Sequence, residues 1–146
     1  MIQENKELLL KDLCARLPHK IKFLRESWNF ESDQELSVIE SLEDIDKDGY
    51  INNTKVYKVE DIKPYLFPIS SMTDEQCYMF YCKFVENETA YNDFKKYYFD
   101  SHLWNKILTS INDCGDIIDW FNKNYFDYRG LIEKGLAIDA TGLNIY

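Results

Sequence analysis

The run from Ile117 to Ile132 limits the folds open to this chain more than any other stretch. It reads Ile117-Ile118-Asp119-Trp120-Phe121-Asn122-Lys123-Asn124-Tyr125-Phe126-Asp127-Tyr128-Arg129-Gly130-Leu131-Ile132, the densest set of apolar anchors near the C-terminus. Asp116 opens a helix into it, after Asp113-Cys114-Gly115 breaks the segment before. A corner falls at 122–125, and Asp127 caps a last short helix that runs through Gly135. The tail from Leu136 to Tyr146 is apolar but holds Gly142, so it is expected to lie extended along the body.

A chain of 146 residues is expected to form one domain. With 45% apolar residues and only eight glycines and prolines it has a folded, globular composition. The net charge is -9, and it is concentrated. Between Glu26 and Asp48 stand nine acids and one base, Lys47. Such a field repels phosphate backbones, which marks down general nucleic-acid binding. It suits a face for a basic protein partner, with Glu31, Asp33, Glu35, Glu40, Glu43 and Asp44 as the contacting acids.

The first residues, Met1-Ile2-Gln3-Glu4-Asn5-Lys6-Glu7, do not read as a secretory signal, and no apolar run is long enough to span a membrane. A cytoplasmic setting with reduced thiols is expected for Cys14, Cys77, Cys82 and Cys114. Cys77 and Cys82 are five apart on a helix, about 140° around it, and share no ligand face. They read as buried, inert thiols.

Leu9, Leu13 and Leu17 recur every four residues and predict an amphipathic helix over 5–17, with Pro18 just past its end. Lys20 to Glu26 alternates in part and reads as a strand. Glu31 to Ile45 fits either period. The strand reading is preferred because short strands come next in sequence, which favours a meander with Asp46-Lys47-Asp48-Gly49 as a hairpin turn. Those strands are Gly49–Ile51 and Lys55–Val59, parted by the turn residues Asn52-Asn53-Thr54. Pro64 and Pro68 bracket Tyr65-Leu66-Phe67, read as an apolar linker pinning the strand layer to the C-terminal helical part. Thr73 is an N-cap, with Asp74 and Glu75 in the first turn of a helix reaching about Asn87. Further helical segments are expected near Ala90–Phe99 and Leu103–Ile111.

The sharpest motif is Asp44-Ile45-Asp46-Lys47-Asp48-Gly49-Tyr50-Ile51-Asn52-Asn53-Thr54-Lys55. Over these twelve residues it resembles the calcium loop of EF-hand proteins. Asp44, Asp46 and Asp48 stand at ligand positions 1, 3 and 5, and Gly49 at the sharp turn. Position 12 needs a bidentate Glu, however, and holds Lys55. At best this is a weak calcium site, and a hairpin with an acidic turn is preferred. No motif implies a cofactor, and no nucleophile is paired with a base. Ten aromatics between Tyr78 and Trp104 exceed what one helix stripe can bury, so some must line a surface or groove. Arg129 is expected to pair with a neighbouring acid and fix the corner. A pocket between strands and helices near Tyr65, Trp120 and Arg129 is the alternative, small-ligand site.

Three segments carry a resemblance. They are Lys11-Asp12-Leu13-Cys14-Ala15-Arg16-Leu17-Pro18, Asp61-Ile62-Lys63-Pro64-Tyr65-Leu66-Phe67-Pro68-Ile69-Ser70-Ser71-Met72-Thr73, and the stretch from Asp119 to Ala137 that includes Phe126-Asp127-Tyr128-Arg129-Gly130-Leu131-Ile132-Glu133-Lys134-Gly135-Leu136-Ala137. Together they resemble a group of small proteins from gut-dwelling anaerobic bacteria and their prophages. The resemblance implies a bacterial or phage setting and a variable, strand-like middle segment. It carries over no activity or site residue.

The expected architecture is therefore α+β: an N-terminal helix (1–19), a small antiparallel strand layer of SH3-like form (20–69), and a C-terminal helical bundle with its tail (70–146). The expected function is a non-enzymatic protein-interaction module, with small-ligand binding and weak calcium binding as alternatives.

Overall fold

In a computed structural model of the chain, the backbone is described for residues 1–29, 34–41, 50–52, 56–84 and 114–146, and the side chains for 1–24, 58–84 and 115–146. The class is α+β. The helices are α1 (Gln3–Arg16), α2 (Asp74–Phe84) and α3 (Cys114–Lys123). The strands are β1 (Lys22–Asn29), β2 (Gln34–Ser41), β3 (Tyr50–Asn52), β4 (Val56–Lys58), β5 (Ile62–Pro68), β6 (Phe126–Asp127) and β7 (Ile138–Asp139). The helical segments expected at 90–111 and the turn expected at 46–49 lie outside the described residues.

Gln34–Ser41 is a strand, as preferred over the helical reading, and it pairs with β1 from Lys22↔Ser41 to Asn29↔Gln34. The expected meander is corrected. β3 and β4 pair only with each other, and β1 pairs on its far side with β5, giving the order β2-β1-β5-β6 with β7 also on β5. The sheet is mixed, since β6 and β7 both run parallel to β5.

The linker reading of Tyr65-Leu66-Phe67 is also corrected: these residues form the middle of β5, the strand that holds the sheet together. Proline lacks only a donor, and its fixed φ suits extended backbone. Pro64 pairs opposite Phe23, and Pro68 pairs with Asp127. The remaining backbone groups find partners across the sequence. Phe67 N donates to Tyr125 O at 2.9 Å, and Leu66 O accepts from Ala140 N at 2.8 Å.

Strand alternation explains why β5 is apolar throughout: both its faces are covered. Ile62 and Leu66 join Leu9, Leu13, Ile21, Phe23, Val59, Leu131 and Leu136 in a core under α1. Phe67 packs on a second core of Met72, Cys77, Phe80, Tyr81, Ile117, Phe121 and Phe126 between α2 and α3. Cys77 is buried as expected, whereas Cys14 and Cys82 are exposed. Each lies on the solvent side of its helix, away from the buried stripe.

Local signals set the ends of elements. Thr73 and Gln76 form a reciprocal capping box: Gln76 N donates to Thr73 Oγ1 and Thr73 N to Gln76 Oε1. α3 starts at Cys114 rather than Asp116, so Gly115 sits inside its first turn. The expected last helix is corrected to a single hydrogen-bonded turn. Asp127 accepts from Leu131 N at 2.9 Å and Ile132 N at 2.8 Å, which starts the turn. Leu136 N then donates to Leu131 O and Gly135 N to Ile132 O, with Gly135 at φ +68. This is a Schellman closure, and it stops the helix after one turn.

The tail runs along the body as expected, and β7 is its paired portion. Tyr146 closes it: its hydroxyl donates to Tyr65 O at 2.8 Å and accepts from Lys22 N. Its ring stacks on Tyr125, with centroids 3.9 Å apart.

Gly135 is the position where this closure is most easily tested. An added Cβ meets nothing within 4 Å, so only backbone conformation resists it. Gly135→Ala is expected to lower unfolding stability by about 1 kcal/mol, and Gly135→Asn by less, as read by chemical denaturation.

Candidate functional site

The apolar face of α1 carries two charges. Leu9, Asp12, Leu13 and Arg16 recur at helical spacing, and all four are fully buried. Asp12 and Arg16 are four apart, so they pair along the helix. Arg16 Nε donates to Asp12 Oδ2 at 2.7 Å and Nη2 to Oδ1 at 3.2 Å. Nη2 also donates to Phe126 O at 2.7 Å, and Nη1 to Phe121 O at 3.4 Å. Those carbonyls close α3 and open β6. A guanidinium at the end of α3 therefore satisfies an acceptor that the helix leaves unpaired, at the negative end of its dipole.

Arg129 completes the cluster. Its Nε donates to Asp12 Oδ1 at 3.1 Å, and its side chain is 17% exposed. The expected pairing with a neighbouring acid is corrected, because the partner lies 117 positions away on α1. Nearby Asp127 is already occupied by the backbone N–H groups of the one-turn helix. Both guanidinium carbons lie near the Tyr128 ring, at 5.4 Å for Arg16 and 4.7 Å for Arg129. Burial raises the Tyr128 phenol above its ordinary pKa, and the charge of Asp12 adds to this against the two arginines.

This cluster fixes α1 against α3, and the surface left between them and α2 is a half-open groove of about 570 Å³. Along α3 it takes Asp116, Asp119, Trp120 and Lys123, spaced three and four apart on one face. Met79 and Lys83, four apart, come from α2, and Ala15, Pro18 and His19 from the end of α1 and the turn after it. Trp120 is half-buried because its indole also serves the core. It meets Phe80 edge-on at 5.1 Å and stacks on Phe126 at 5.7 Å and 7°. A volume of this size lies in the range of small-molecule sites.

Of the expected ligand trio, Trp120 lines this groove, while Arg129 belongs to the Asp12 cluster. Tyr65 is buried in β5, where its carbonyl accepts from Tyr146. Of the expected partner acids, Glu35 and Glu40 stand in β2, opposite Trp28 and Phe23 in the register. Glu31, Asp33, Glu43 and Asp44 lie outside the described residues, as do Asp46 and Asp48 of the calcium-like motif. Among the described residues no group of three or more His, Cys, Asp or Glu side chains is placed to hold a metal ion. No helix among them is long and apolar enough to cross a membrane.

Asp12 and Arg16 are the residues that sequence reasoning missed. Their signal was present, since they fall on the Leu9–Leu13 stripe. Compared with protein-family models, curated proteins and solved structures, the chain finds no match.

A fully buried ion pair responds asymmetrically to truncation. Asp12→Ala strands the Arg16 charge and is expected to cost about 3–5 kcal/mol. Asp12→Leu combined with Arg16→Met removes both charges, and recovery of most of that loss is expected. Urea denaturation of the single and double variants checks the sign.

Proposed function

We propose that this chain is a non-enzymatic protein-interaction module of bacterial or prophage origin, with its acid-rich hairpin as the contact surface for a basic partner. One observation carries the reading. β1 pairs with β5 only over Phe23–Arg25, whereas its pairing with β2 continues to Asn29↔Gln34. The outer half of the hairpin thus extends past the rest of the sheet. Among the described residues β2 pairs with β1 alone, so it is an edge strand. Edges with unpaired backbone groups are where strands meet other chains unless something discourages it.

Charge supports the same surface. The segment from Glu26 to Asp48, with nine acids and one base, begins in β1 and passes through β2. Long-range attraction from such a segment raises the encounter rate with a basic surface and selects against acidic ones. The module then uses a small strand layer for recognition in the manner of SH3-like domains, while the helices hold it in place. An inhibitor that occupies the nucleic-acid surface of a host protein by imitating phosphate charge is one form of this reading, in keeping with a prophage setting.

The test is capture from bacterial lysate by the full chain and by a variant with Glu31, Asp33, Glu35, Glu40, Glu43 and Asp44 changed to their amides. Specific bands are expected with the natural sequence, weakening as salt rises and lost in the neutralised variant. The same bands with both proteins contradict the reading.

A further inference from the structure

The groove between α1, α2 and α3 is a second surface, independent of the hairpin. Its charges are sorted along its length. Asp116 and Asp119 stand near the start of α3, Trp120 follows, and Lys123 comes one turn later. Seven residues separate Asp116 from Lys123, about 10 Å along the helix axis. His19 belongs to the Lys123 end, because its carbonyl accepts from the Tyr125 hydroxyl, just beyond α3. One end of the groove is therefore anionic and the other cationic, with an indole between them.

The dipole of α3 accounts for acids at its start and a lysine at its end. It does not account for the apolar surface left open between them. Trp120 is only half-buried, and Met79, across the groove on α2, is 50% exposed. Methionine is a soft and adaptable wall for a ligand of variable shape.

We propose that this groove binds short free peptides as zwitterions. The α-ammonium lies at Asp116 and Asp119, an apolar side chain rests on Trp120 and Met79, and the α-carboxylate lies at Lys123 and His19. The length agrees: three extended residues span about 10 Å, the same as the axial separation of the charged ends. A ligand that needs both termini is a free oligopeptide of about three residues, not an internal segment or one end of a longer chain. The fourth charged group, Lys83 on α2, gives the carboxylate a second cation within the same cavity.

The experiment is calorimetric titration of the full chain with the tripeptide alanyl-phenylalanyl-alanine, its N-acetylated form and its C-amidated form. Asp119→Asn and Lys123→Gln are titrated in parallel. Both side chains are exposed, so the variants keep the fold, and a thermal melt verifies this. The free tripeptide is expected to bind. N-acetylation should weaken binding at least ~10-fold in the natural protein and much less in Asp119→Asn, and C-amidation should do the same against Lys123→Gln. Absence of binding up to about 10 mM free tripeptide overturns the proposal. So does equal binding of free and blocked peptides, or unchanged discrimination in the two variants.

Discussion

Burial of Arg16 is the constraint on which the rest of this structure depends. A guanidinium without solvent is tolerable only when its donors are met, and here one carboxylate and two backbone carbonyls meet them. Each of those acceptors belongs to a different part of the chain. Asp12 lies on α1, Phe121 closes α3 and Phe126 opens β6. One side chain therefore determines where the C-terminal corner sits relative to the N-terminal helix. Its neighbours are set by that placement: Arg129 shares the carboxylate, and Tyr128 receives the faces of both guanidinium groups.

The cluster also lies where the two cores meet. Leu9 and Leu13 of α1 belong to the core under the sheet, while Phe121 and Phe126 belong to the core between α2 and α3. β5 joins the same two cores from the other side, giving Ile62 and Leu66 to one and Phe67 to the other. A polar tie and a two-sided strand thus hold the body together. What they leave outside is equally defined: the outer part of the β1–β2 hairpin, beyond the reach of β5, and the helical groove floored by Trp120. The acidic hairpin suits a large basic surface, and the groove suits a small ligand with two charged ends.

Much of this was legible in the sequence wherever the signal was local. The leucines of α1, the Thr73 cap, the turn at Asn52-Asn53-Thr54 and the corner before Tyr125 all act through neighbouring residues, and each appears near its expected place. The failures involve long-range partners. Tyr65-Leu66-Phe67 looked like a linker because its prolines lack donors, yet the acceptors and donors that complete β5 come from residues 125–140. Asp127 looked like the cap of a helix, and it is one, but Gly135 ends that helix within a turn. Arg129 was expected to find a nearby acid and instead reaches Asp12. The charges on α1 went unread because the leucine pattern alone was sufficient to predict the helix. The groove has no sequence signature, since its walls come from three separated elements.

The most direct measurement is residue-resolved hydrogen exchange on the Arg16→Met variant under native conditions. If Arg16 ties the corner to α1, protection should fall together at the amides of Phe67, Leu131 and Ala140, which bond across the C-terminal segment. None of these residues touches Arg16 through a hydrogen bond of its own. Protection that stays at the natural level at all three, with loosening confined to the last turn of α1, would contradict the account.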